Sequence, residues 1–243
     1  MGNVFAITSG KGGVGKSTVS AGLAFAFSSK GNKVLLVDMD EGFRCLDLML
    51  GIDNSTVFDL ADILRGHEIE DATYLCENAN GLYLIPAPAK KGEITCSEFA
   101  EFVSKVTEKF DVVIFDFPAG IDIPLYSSLP KSTVFLTVAV PDPVSIRDAA
   151  VISKNLSENS LSARLVINRF IHKQSRKYGF KNIDSMIDSS NLRLIGIVPE
   201  SKELSELSRN HKIGRKSRSF AAFSRISARL SGENILLPKL KYI

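Results

Sequence analysis

Cysteine is scarce: Cys45, Cys76 and Cys96 are the three in 243 residues, an odd number with no C-x-x-C pair. This argues against a disulfide framework and against a four-cysteine zinc or iron–sulfur site within one chain, and it fits a reducing, cytoplasmic compartment. Long apolar runs are missing too. The longest, around Val134–Val140, is too short to cross a bilayer, and the first residues lack a basic stretch followed by an apolar segment and a cleavage site. The expectation is a protein that is neither secreted nor membrane-spanning. His67, His172 and His211 are scattered without metal-ligand spacing. No Pro/Gly/Ser-rich linker, low-complexity tract or internal repeat divides the chain. One domain is therefore expected over residues 1–232, followed by a short tail, 233–243.

What is present is enough apolar material for a core, 44% hydrophobic against 23% charged. The net charge of +3 is unevenly spread. Seven Lys or Arg and no Asp or Glu fall between Arg209 and Ser231, so the rest of the chain is mildly acidic. Short β-branched and aromatic runs recur at Val4–Thr8, Lys33–Asp38, Leu82–Pro86, Asp111–Asp116, Thr133–Val140, Ala163–Asn168 and Arg193–Val198. They are continuous rather than alternating, the pattern of strands covered on both faces. Helical spacing fills the gaps, as in Ser17–Lys30 and in Phe99, Phe102, Val103 and Val106. Strand alternating with helix implies a three-layer α/β fold around a mostly parallel sheet of roughly seven to eight strands.

The first strand runs into Gly10-Lys11-Gly12-Gly13-Val14-Gly15-Lys16-Ser17-Thr18, which opens the first helix. Gly10-x-Gly12-x-x-Gly15 also satisfies the dinucleotide fingerprint, with Asp38 about where a ribose-binding acid would fall. The residues after Gly15 favour a phosphate loop: Lys16 for the β- and γ-phosphates and Ser17 for Mg²⁺, neither of which a dinucleotide needs. A P-loop NTPase fold follows. Lys11, inside the loop, reads either as a solvated lysine or as a second cation aimed at phosphates, including those of a partner subunit. Asp38 and Asp40 end the second strand two residues apart, on one side of it, and Asp116 ends another apolar strand where a carboxylate can hold Mg²⁺ through water. Any one of these alone would pass for a turn or helix cap. Three in register with a phosphate loop point to a site, and the Gly120 N–H just after Asp116 is a candidate γ-phosphate contact.

Together these residues resemble the deviant Walker A ATPases of the MinD/ParA family, and its MinD-type members most. The resemblance is carried by the loop with its extra lysine, the segment Asp38-Met39-Asp40-Glu41-Gly42-Phe43-Arg44-Cys45-Leu46-Asp47, and Asp116-Phe117-Pro118-Ala119-Gly120-Ile121. Ser145-Ile146-Arg147-Asp148 and Gly196-Ile197-Val198-Pro199-Glu200 extend it toward residue 232. It implies ATP with Mg²⁺, a homodimer sandwiching nucleotide, and slow hydrolysis stimulated by an activating or effector protein. Lys11 would cross to the other subunit's phosphates, Lys16 would serve the bound nucleotide, and Ser17 would ligate Mg²⁺. Asp40 would position the attacking water and lie near the metal, Asp38 would support it, and Asp116 would hold the metal's water shell. Asn168, followed by Arg169, would read adenine, and Pro199 and Glu200 would flank the base; the ordinary alternative for Asn168 is a strand-end cap. Relative to the family pattern, Cys45 replaces an Asn, Glu41 an apolar residue and Phe117 a small polar one. The bulk of Phe117 is expected to disturb water placement or partner-triggered hydrolysis.

The last helix is expected from about Ser217 to Leu230, and Pro238 would interrupt a helix in the tail. The tail is either a weak anchor at an anionic membrane surface or an extended segment packed on the domain. The basic run from Arg209 suggests an anionic surface, lipid before DNA, with Arg225 and Arg229 sharing a helix face; its ordinary reading is a solvated helix. The functional expectation is an ATP-dependent positional switch in division-site placement, cytoplasmic with a peripheral membrane association. A flagellar-placement ATPase, a ParA-type partition ATPase and a nucleotide-gated scaffold with little turnover are the alternatives. An iron–sulfur scaffold ATPase is disfavoured by the missing C-x-x-C.

Overall fold

Runs such as Val34-Leu35-Leu36-Val37 have apolar side chains pointing both ways, and in the computed structural model, which describes residues 2–180 and 182–242, both faces of the sheet are covered. Met1 and Ile243, the outer ends of the two predicted segments, lie outside the described residues. The strands are β1 Asn3–Thr8, β2 Val34–Asp38, β3 Tyr74–Leu75, β4 Leu82–Ile85, β5 Val112–Asp116, β6 Val134–Ala139, β7 Ser162–Phe170 and β8 Arg193–Pro199. The helices are α1 Lys16–Ser28, α2 Leu46–Leu50, α3 Leu60–Leu64, α4 Cys96–Lys109, α5 Ile123–Ser127, α6 Pro143–Glu158, α7 Ile183–Ser190, α8 Lys202–Ser205, α9 Leu207–Asn210 and α10 Arg218–Leu230. The sheet order is β3-β4-β2-β5-β1-β6-β7-β8, parallel except for β3. Seven strands coincide with the sequence expectation. The eighth, β3, is a two-residue antiparallel edge, too short to show any periodicity.

β1 sits between β5 and β6, so chain leaving its carboxyl end can turn to either side of the sheet. Such a switch point is where α/β sheets open a crevice for ligands. Along β5, Val112 and Ile114 face one cluster with α1, while Val113 and Phe115 face the other with α4. That alternation leaves Asp116 on the α1 side of the edge.

α1 is buried almost all round, which explains its small and apolar sequence without a polar face. α10 covers it: Phe223 packs against Gly22, where an added Cβ would meet the Phe223 ring at 2.2 Å, and Ile226 packs on Gly196 of β8 at 2.3 Å by the same measure. Ser217 starts α10 by accepting the Phe220 N–H, as the sequence placed it.

Gly22 is therefore held by packing. Gly22→Ala gains helix propensity of about 1 kcal/mol but must displace a buried ring, at roughly 1–3 kcal/mol. A lower urea midpoint is expected, and Phe223→Leu in the same chain should recover part of the loss.

Candidate functional site

The chain leaves β1 at Thr8 and wraps into the glycine-rich loop before α1 begins at Lys16. Gly15, the N-cap, has φ of 90°, and a Cβ there would lie 2.3 Å from Asn168 Nδ2. Both the conformation and the space require glycine. Inside the loop, the Ser9 hydroxyl donates to the Lys11 carbonyl at 2.8 Å and Val14 is anchored in the core. Gly12 and Gly13 stay exposed. The result is a turn of main chain held from below and open above, at the positive end of a helix, which is the geometry that binds phosphate.

Lys16 is 8% exposed, and its charge acts on Asp40 and Asp116. Asp38 and Asp116 are register partners on β2 and β5 and are each 1% exposed. Asp38 accepts the N–H groups of Asp40 at 3.0 Å and of Cys45 and Leu46 at 3.4 Å, so it orders the turn after β2 and the start of α2. Burial, then repulsion from Asp116, pushes its carboxyl up to about 7 against those three N–H groups. Asp116 accepts from the Ser20 hydroxyl at 2.8 Å and also faces Ser17. Burial lifts it to about 6, while the two hydroxyls and Lys16 oppose the rise. Asp40 is partly exposed, and its carboxyl is raised by burial and lowered by Lys16 and Lys91. Ser20, one turn after Lys16 on α1, was not anticipated from the sequence; its spacing of three from Ser17 was the available signal.

Further along the sheet edge, Asn168 at the end of β7 is buried and donates through Nδ2 to the Val14 carbonyl at 2.8 Å. Thr18, Asn168, Arg169, Pro199 and Glu200 line one cavity, with Ser201, Leu204 and Ser205 completing it. Arg169 stands 3.9 Å from Glu200. The residues expected around a base are thus brought together. Asn168 keeps its Oδ1 and second N–H for a ligand edge.

Residues 5–213 match the CobQ/CobB/MinD/ParA nucleotide binding domain. The septum site-determining protein MinD of Bacillus subtilis is 33% identical over 251 residues, spanning 99% of this chain and 93% of that protein. The chain belongs to the MinD/ParA family. Among solved structures, a chain of the MinC:MinD cell division protein complex from Aquifex aeolicus superposes with a TM-score of 0.87 at 30% identity, covering 98% of this chain and 99% of its own. MinD of Pyrococcus horikoshii, solved with Mg-ADP, gives 0.82 at 25% identity over 95% and 96% of the two chains.

For a MinD/ParA nucleotide site, the donor set suits Mg²⁺: the Ser17 hydroxyl beside Asp116, both hard oxygen ligands, next to carboxylates on which Lys16 and Lys91 act. Among the described residues no group of three or more His, Cys, Asp and Glu is placed to hold a metal alone. Nucleotide phosphates and water would have to supply the remaining positions.

Several expectations change. Phe117 does not enter the site: it is 1% exposed and packs edge-on against Tyr126 at 4.9 Å, because strand alternation turns it to the face opposite Asp116. The Gly120 N–H is committed to the Ser9 carbonyl at 2.9 Å, so here it ties the segment after Asp116 to the phosphate loop and is not directed at a γ-phosphate. Lys11 rests 4.0 Å from Asp142 at the start of α6, with both side chains over 40% exposed, a weak tether. Arg229 is not a free basic contact, since its guanidinium donates to the Ile235 carbonyl at 2.7 Å and to Ile195 of β8 at 2.8 Å. That clamp lays the tail extended against the sheet edge, with a 3-10 turn at Leu240–Tyr242 and Leu236 exposed. No helix among the described residues is long and apolar enough to cross a membrane.

Because Asp38 and Asp116 titrate well above the unfolded value of 3.8, the folded protein holds protons that the unfolded chain has released between about pH 4 and 7. Stability without nucleotide should then fall as pH rises through that window. Asp38→Asn should flatten the fall, seen as urea midpoints at pH 5.5 and 8 that lie closer together than in the parent. An unchanged gap would remove the buried pair as its cause.

Proposed function

We propose that the protein is a MinD-type ATPase, residues 1–232 forming the ATPase unit and 233–243 a tail, which dimerises around ATP and Mg²⁺ and acts as a positional switch in division-site placement. The observation that carries this reading is the convergence of a two-lysine phosphate loop, two buried carboxylates and a cavity lined by Asn168, Pro199 and Glu200 on one sheet edge.

Catalysis in such a site is positioning and charge stabilisation. The loop N–H groups and Lys16 hold the phosphates, and Mg²⁺ when bound neutralises charge developing on the phosphoryl oxygens. Ser17 and Asp116 would hold that ion. Asp40, its carboxyl raised and its N–H fixed on Asp38, is the group to orient the attacking water and receive its proton. Lys11, loosely held and outward, is free to leave Asp142 for the phosphates of a second copy, which makes a complete site depend on dimerisation.

An effector protein would read the dimeric state, as suits a relative solved in complex with MinC. We place the protein in the cytoplasm with peripheral contact to anionic membrane through the exposed tail residues Leu236 and Tyr242 and the basic run. DNA is the less favoured partner.

Lys16→Ala should abolish nucleotide binding. Lys11→Ala should keep binding but lose dimerisation and at least about 10²-fold in turnover, and Asp40→Ala should bind ATP and remain dimeric. Light scattering after gel filtration with ATP, together with phosphate release, measures all three; a monomeric Lys11→Ala protein hydrolysing ATP at the parent rate would refute the sandwich. Sedimentation with anionic liposomes against DNA, using Lys16→Ala as control, decides the surface.

A further inference from the structure

Glu41 follows Asp40 directly and takes no part in the phosphate chemistry above, yet its carboxylate is fully engaged. It accepts three successive main-chain N–H groups from the loop between β4 and α4: Gly92 at 2.9 Å on Oε2, and Glu93 at 2.8 Å and Ile94 at 3.0 Å on Oε1. Consecutive N–H groups converging on an anion form a nest, and charge-assisted bonds of this kind are stronger than neutral ones. Beside them the Gly42 N–H donates to the Pro88 carbonyl at 2.9 Å. Gly42 has φ of 79°, which lets the chain turn there, and the turn closes with Phe43 N–H on the Asp40 carbonyl at 3.1 Å.

The loop that Glu41 grips is itself tied down and carries a charge. Glu93 pairs with Arg65 at the end of α3, and Arg65 also reaches Asp62 at 3.6 Å. Lys91 lies over the Phe43 ring, 4.8 Å from its centre, and its ammonium is near enough to Asp40 to act on that carboxylate. Asp40 is therefore fixed from two sides: behind, by its N–H on Asp38, and ahead, by Glu41 on the 92–94 amides. Removing the forward anchor leaves the turn joined to that loop only by the Gly42 N–H on Pro88 and by Lys91 on the Phe43 ring, neither of which carries the charge-assisted bonds of the carboxylate.

We propose that Glu41 is a positioning residue for ATP hydrolysis, a latch that joins the 40–43 turn to the 88–94 loop and so fixes where the Asp40 carboxylate stands above the phosphate loop. This rests on the reading of the site as an ATPase. Nucleotide affinity comes from the phosphate loop and the cavity at Asn168, which the latch does not touch, so losing it affects the chemical step and not binding. The apolar residue that the family pattern carries at this position has no carboxylate with which to form the latch.

The test compares Glu41→Ala and Glu41→Gln with the parent in the full chain, by kcat and KM for ATP, equilibrium ATP affinity, thermal midpoint, and exchange of the Gly92, Glu93 and Ile94 amides followed by NMR. Glu41→Ala should lower kcat about tenfold or more, as misplacement of a reacting group does, with KM and affinity unchanged and all three amides exchanging faster. Glu41→Gln, keeping one oxygen for the Glu93 and Ile94 N–H groups, should restore part of kcat, and it carries the test if the alanine variant melts lower. Parent-like kcat with freed amides would overturn the positioning role, as would a parallel loss of affinity and thermal midpoint in both variants. A parent protein without ATP turnover would overturn the ATPase reading and this proposal with it, a failure told apart because the amide contrast would still appear.

Discussion

Burying two carboxylates side by side is costly, because each loses water and each repels the other. Asp38 and Asp116 nevertheless occupy neighbouring parallel strands at one level of the sheet, and much of the molecule can be read as the means of keeping them there. The strands beneath are pinned by apolar layers on both faces. α1 brings Lys16, Ser17 and Ser20 against Asp116, and Gly22 lets the Phe223 ring of α10 pack closely on that helix. The N–H groups of Asp40, Cys45 and Leu46 supply the rest of the solvation that water no longer gives. The site stays short of positive charge, a shortage that binding of a divalent cation would relieve.

Much of this was legible in the sequence, for a physical reason. Phosphate binding needs particular residue types at fixed spacing, so Gly15-Lys16-Ser17 announces itself, and strands buried on both faces leave continuous apolar runs that locate seven of the eight strands. What stayed hidden depends on direction and on remote partners. Phe117 looked like an intrusion into the site until strand alternation turned it into the opposite core. Local sequence offers the Gly120 N–H to a ligand, whereas its partner is the Ser9 carbonyl at the entry to the phosphate loop, over a hundred positions earlier in the chain. Glu41 could be seen to depart from the family pattern, but the amides it binds lie some fifty residues downstream, beyond the reach of any local pattern.

Arg229 shows how a charge run misleads in the same way. Its spacing from Arg225 puts both on one face of α10, and that face meets the outer edge of the sheet. There β8 is the last strand of the sheet among the described residues, and an edge strand leaves carbonyls for other partners. The guanidinium takes one of them at Ile195 and, with its other arm, the tail carbonyl of Ile235. One basic side chain thus covers a sheet edge and directs the tail, leaving the Lys and Arg residues nearer Arg209 as the more available part of the basic run.

The two halves of the nucleotide site are mechanically joined as well. Asn168 reaches from the end of β7 to the Val14 carbonyl in the phosphate loop, and the same amide lines the cavity next to Arg169 and Glu200. The bond fixes which way the amide faces, so the atoms it leaves toward the cavity are set by the loop's own conformation. The carbonyl it binds lies just before Gly15, whose φ of 90° and close approach to the amide leave no room for a side chain. The cavity lining and the phosphate loop then form one unit spanning β1, α1 and β7. On the other side of the loop, the Gly120 N–H on Ser9 joins the same unit to the segment after Asp116. Direct hydrogen bonds thus tie the phosphate loop to the cavity at Asn168 on one side and to the segment after Asp116 on the other.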